Sequence, residues 1–251
     1  LILKKICKRL VIVLFFSSVL IHKTSAQNKI VTRENQQWLQ YYNETKLNKN
    51  WTLLADASHR WKDDFNESSQ FIVRSALGYT IKQNFRISAG FAYSGFYSQD
   101  TLNRMEYRPH QELVFTNTLN NIKINHRLRV EERFFNPLND SNNTFNFRFR
   151  YSFAVSFTLF KLSKTNPESL FLLRINDEIF INSGKQTVNK TFDQNRFVVS
   201  PTFQLNKSLS ISPTWNSQYA STSTSGTYRQ TNVFWLQIRH NLDLSKSNKT
   251  E

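Results

Sequence analysis

From Thr144 to Leu159 the chain reads TFNFRFRYSFAVSFTL, and its two parities have different chemistry. Phe145, Phe147, Phe149, Tyr151, Phe153, Val155, Phe157 and Leu159 fall on one; Asn146, Arg148, Arg150, Ser152, Ala154, Ser156 and Thr158 fall on the other. Successive side chains of a β-strand point to opposite faces, so this stretch predicts a ribbon with one aromatic-aliphatic face and one polar, cationic face. At about 3.3 Å per residue it outruns the usual strand of about five or six residues. A long strand of this kind suits a wall between lipid and a wet lumen.

The alternation recurs. Phe71, Val73, Leu77, Tyr79 and Ile81 oppose Arg74, Ala76, Gly78 and Thr80; Leu209, Ile211, Pro213, Trp215 and Tyr219 oppose Ser210, Ser212, Thr214, Asn216 and Gln218. Strands are predicted at 36–47, 51–60, 70–82, 85–97, 104–118, 122–135, 144–160, 169–181, 192–205, 208–220 and 227–240. Tight polar turns follow at 48–50, 82–84, 120–121 and 206–208, alternating with longer loops near 61–69, 98–103, 136–143, 182–191 and 221–226. One turn phrase repeats: Lys46-Leu47-Asn48-Lys49-Asn50-Trp51, Thr80-Ile81-Lys82-Gln83-Asn84-Phe85 and Gln204-Leu205-Asn206-Lys207-Ser208-Leu209. The expected fold is all-β, a closed antiparallel up-and-down transmembrane β-barrel of 10–12 strands over residues 36–244, with a polar, Arg-rich interior. A short segment, 27–35, precedes it and a polar tail, 245–251, follows. Short turns would face the periplasm. With both termini there too the count must be even, whereas eleven strands are read. A strand around Lys29–Arg33 would make twelve, and a segment 36–47 outside the wall would leave ten. A soluble secreted barrel is the rival fold, but it would present the Phe145–Leu159 aromatics to water.

Residues 1–26 place Lys4, Lys5, Lys8 and Arg9 before an apolar run, Leu10 to Ile21, and end in Thr24-Ser25-Ala26. That order predicts a cleaved signal peptide, the run being short of the roughly 20 residues that span a bilayer. The one cysteine, Cys7, precedes the run, so the remainder can form neither disulfides nor thiolate metal sites. The formal charge is +15; the five Lys/Arg and no acid of residues 1–26 leave +10. Export argues against nucleic acid as the partner, and the Arg residues alternate with aromatics rather than cluster. Apolar content is 39%, below the usual 45–50% or so, as expected where half of each strand faces a polar interior.

Several phrases carry a resemblance: Gln36-Gln37-Trp38; Trp51 with Asp56 and His59-Arg60-Trp61; Glu106-Tyr107-Arg108-Pro109-His110-Gln111; His126-Arg127-Leu128-Arg129-Val130-Glu131-Glu132-Arg133-Phe134; Arg148-Phe149-Arg150-Tyr151; and Asn176-Asp177-Glu178. Together they resemble a family of Gram-negative exported proteins known as domain of unknown function 2490, over most of residues 36–240. His110 departs from it, where an aromatic is expected. The resemblance implies an outer-membrane barrel and brings no catalytic residue with it.

The inner parity collects the candidate lumen residues: Arg74, Arg86, Glu106, Arg108, Glu112, Arg127, Arg129, Glu131, Arg133, Arg148, Arg150, Arg174, Glu178 and Arg196, with His110, Arg229 and Arg239. Arg suits such a face because its planar fork holds charge and pairs with two acceptors. Two readings follow: a surface for small anionic solutes in a narrow pore or solute-binding barrel, or a self-satisfied Arg–Glu network that fills a non-conducting one. An enzyme is not expected. No Gly-x-Ser-x-Gly elbow occurs, and a lipid hydrolase would have to use His126 on the lipid-facing parity. Asp63-Asp64, Asp140 and Asp177-Glu178 show no metal-ligand spacing, so neither cofactor nor metal is expected. Outer-membrane lipid is the expected surrounding, with outward Trp51, Tyr93, Tyr97, Phe134, Trp215 and Tyr228 forming the interfacial girdles. Oligomeric state is open.

Overall fold

The computed structural model describes residues 29–139, 141–185 and 191–245; residues 1–26, where a signal peptide is expected, Asp140 and most of the polar tail lie outside the described residues. Eleven strands form one closed barrel: β1 (Ile30–Lys46), β2 (Trp51–Lys62), β3 (Glu67–Lys82), β4 (Phe85–Ser98), β5 (Thr101–Leu119), β6 (Ile122–Pro137), β7 (Thr144–Lys161), β8 (Leu170–Ser183), β9 (Phe192–Gln204), β10 (Leu209–Ser221) and β11 (Thr227–Asp243). Each pairs antiparallel with its successor. β1 lies beside β11 and closes the barrel.

That last pair corrects the expectation of an even count with both termini at one end. Along the seam Thr32 contacts Tyr228, Glu34 contacts Arg229 and Thr231, Trp38 packs on Trp235, and Tyr41 reaches His240. The two sets of numbers rise together, so β1 and β11 run parallel. A parallel pair joins strands of like direction, and an odd number of alternating strands needs one such pair to close. The proposed strand at Lys29–Arg33 and segment 36–47 are halves of one strand, β1.

Connection lengths also differ from expectation. One end of the barrel carries 63–66, 99–100, 138–143, 184–191 and 222–226; the other carries 47–50, 83–84, 120–121, 162–169 and 205–208. Much of the polar sequence near 61–69 and 98–103 is strand, because backbone pairing tolerates polar side chains at strand ends. The turn repeat survives at two of its three places. The Asn48 side-chain oxygen accepts from the backbone N–H groups of Asn50 and Trp51, both at 2.9 Å, and Asn206 does the same for Ser208 and Leu209, at 2.8 and 2.9 Å. The third is a two-residue link through Gln83 and Asn84.

The wall is apolar outside and polar inside. Leu39, Leu53, Val73, Phe91, Leu113, Leu128, Phe149, Phe153, Phe197, Trp215 and Phe234 are exposed, while Gln40, Ser94, Glu106, Glu131 and Asn216 are buried. A soluble barrel reverses these faces; this arrangement belongs to a membrane-spanning barrel.

Candidate functional site

The pairing of β5 to β8 sets one polar residue against the next: Glu112 opposite Arg129, His110 opposite Glu131, Glu131 opposite Arg148, and Arg129 opposite Arg150. Side chains on this inner parity are held close enough for each carboxylate to meet several guanidiniums. Glu131 accepts from Arg148 Nε at 2.6 Å and Arg150 Nη1 at 2.7 Å, with Arg129 at 3.7 Å and Arg108 at 3.8 Å. Glu106 holds Arg108 and, at 2.5 Å, Arg133. Glu112 takes Arg129 at 2.6 Å and Arg127 at 3.7 Å; Glu178 takes Arg127 at 2.6 Å and Arg150 at 2.8 Å. Ten of the fourteen candidate residues thus join in one network.

The other four sit apart. Arg74 pairs with Asp56 at 2.7 Å, and Arg86 crosses from β4 to Glu44 on β1 at 2.9 Å. Arg174 donates to the Ser156 hydroxyl at 3.3 Å. Arg196 lies over the Phe180 ring at 4.7 Å and 5.5 Å from the Trp38 ring. Arg239 lies over Tyr42 at 4.6 Å, and Arg229 pairs with Glu34 at 3.6 Å. His110 is buried, and its Nδ1 has no hydrogen-bond partner among the described residues.

Several residues escaped the sequence reading. Asp193 near the start of β9 reaches Arg148 at 3.0 Å and Arg133 at 4.0 Å, although a break in register beside it obscures its parity. Arg60 stacks on Trp38 at 3.7 Å, and Trp38 packs edge-on against Trp235 at 5.3 Å. These aromatics are on the inner face. The available signal was their parity with Gln40 on β1 and Arg239 on β11. At the barrel end near the 63–66 and 138–143 connections, a cavity of about 470 Å³ is lined by Glu34, Gln36, Lys62, Phe96, Arg104 and Arg229, among others.

The outer wall was the place for a hydrolase. His126 does lie there, hydrogen-bonded through Nδ1 to the Tyr151 hydroxyl at 2.9 Å and flanked by the Phe115 and Phe153 rings. Among the described residues no group of three or more His, Cys, Asp and Glu is placed to hold a metal ion.

No curated protein matches the chain. Among solved structures, the NanC porin in a rhombohedral crystal form is similar over 74% of this chain and 86% of its own, at 9% identity and a TM-score of 0.42. A family model described as protein of unknown function (DUF2490) matches residues 35–229. That span runs from β1 into β11 and takes in every strand of the charged network, and the chain belongs to this family.

Proposed function

We propose that the protein is an outer-membrane barrel, exported through residues 1–26, whose cationic interior binds or passes small anionic solutes. One observation carries this reading. Arg60, Arg174, Arg196 and Arg239 turn inward yet have no carboxylate within ion-pair reach among the described residues, whereas the inner Glu side chains are already shared among other guanidiniums. A network built only for scaffolding would balance its charges, since a buried, unpaired charge is costly. Surplus cations inside a low-dielectric wall favour anions and oppose cations. The apolar outer wall supports lipid as the surroundings.

Single-channel recording of the refolded barrel in a planar bilayer tests the proposal. Discrete steps with anion permeability above cation permeability are expected, the preference falling in Arg174→Gln/Arg239→Gln. A second reading has its own support: Glu106 and Glu131 have no exposed surface, so the β5–β8 side is packed shut. A folded but silent barrel that also binds no anion would make the charges internal scaffolding.

A further inference from the structure

Beside the Arg–Glu network lies a second inner cluster, and four of its five unpartnered polar atoms are donors in want of an acceptor. Arg60 from β2 and Arg196 from β9 both face the Trp38 ring, at 3.7 and 5.5 Å. Arg60 Nη1 donates to Gln70 at 2.7 Å, but Arg60 Nε and Arg196 Nε are buried with no hydrogen-bond partner among the described residues. Trp235, packed on Trp38, has its indole Nε1–H in the same state. Asn216 completes the group. It is 0% exposed, both ends of its amide lack partners, and it pairs with Val198 and Val233, which places it diagonal to Arg196 and Trp235 on the inner face.

The neighbouring acids cannot serve these donors. Glu178 is held by Arg127 and Arg150, Asp193 by Arg148 and Arg133, and Asp56 by Arg74 and Gln40. Two guanidiniums facing one indole without a counter-charge repel each other. Unpaired buried donors add to that cost. Water relieves it poorly, because a single water accepts at most two hydrogen bonds and brings no negative charge. An oxyanion offers several acceptor lone pairs and neutralises the repulsion, and guanidinium is the fitting cation for it. A cavity also lies close by. Gln36, which accepts from Trp38 Nε1 at 2.8 Å, lines the 470 Å³ cavity together with Lys62, two residues beyond Arg60.

We propose that Arg60, Arg196, Trp38, Trp235 and Asn216 form a binding site for the carboxylate or phosphate group of one small solute, inward of that cavity. The proposal rests on the anion reading above and gives it a place. The test is calorimetric titration of the refolded barrel in detergent with sodium acetate and, separately, sodium phosphate, at constant ionic strength in chloride. Saturable binding of one equivalent is expected for at least one of them, and the better ligand identifies the class. Arg60→Gln/Arg196→Gln should weaken it tenfold or more. Heat-modifiable gel mobility checks folding. If that variant does not refold, Trp235→Phe decides, since it keeps the packing and removes one donor; a several-fold loss is expected. Wild-type affinity in a folded variant overturns the site and leaves an anion-selective barrel standing. Absence of both binding and anion-selective conductance in the wild type overturns the broader reading with it.

Discussion

Glu131 shows what a single residue does in this interior. Its two oxygens meet Arg148 and Arg150 directly, with Arg108 and Arg129 just beyond, and none of its surface is exposed. Glu131→Gln keeps the shape and leaves four guanidiniums around a neutral amide. Removing one partner of a buried pair typically costs about 3–5 kcal/mol. Denaturant unfolding of the barrel in detergent should show a loss of that order. Adding Arg148→Gln removes one of the stranded charges, so the double variant should lose less than the two single losses combined, which a double-mutant cycle measures. Additive losses would mean the pair is not coupled.

At the scale of the strand, two features carry expectations. Gly90 on β4 faces inward opposite Ala76, and a Cβ added there would overlap the Ser75 carbonyl oxygen and Ala76 itself. The obstruction is largely backbone, so no rotamer change relieves it. Gly90→Ala should therefore sharply reduce the heat-modifiable folded fraction, while Gly226→Ala, whose added Cβ meets nothing within 4 Å but whose φ is +74°, should cost only about 1 kcal/mol. The β1–β11 seam offers a direct test of its direction. Tyr41→Cys/His240→Cys should be joined efficiently by a short bifunctional maleimide, and Tyr41→Cys/Asn232→Cys poorly. With Trp38 on Trp235 as the fixed point, an antiparallel seam would give the reverse.

For the whole molecule, the odd strand count separates the two ends of the wall: the start of β1 lies at one end of the barrel and the end of β11 at the other. Cysteines introduced at Asp64 and Asp100 should react together with a membrane-impermeant maleimide applied to intact cells, and those at Asn48 and Asn206 should be protected, or the reverse pattern should hold. Labelling of one residue from each pair would contradict the topology. Long and short connections do not segregate by end, since the 162–169 connection shares its end with the tight turns, and the labelling pattern identifies the outward pair.

The period-two alternation by itself determined the fold class, ten strand pairings between neighbours in sequence, and much of the inward set, though not Asp193. A strand has only two faces, and a run such as Phe145 to Leu159 leaves no doubt about which side each residue takes. Glu112, Arg129 and Arg150 could be placed side by side for the same reason, because short turns bring consecutive strands together. Parity is silent about everything that crosses the barrel. The direction of the β1–β11 seam, the pairing of Arg86 with Glu44, the reach of Arg148 to Asp193 and the approach of Arg196 to Trp38 join residues far apart in sequence. Those contacts depend on how the sheet curves and closes, and only the closed barrel decides which cations find a carboxylate and which do not.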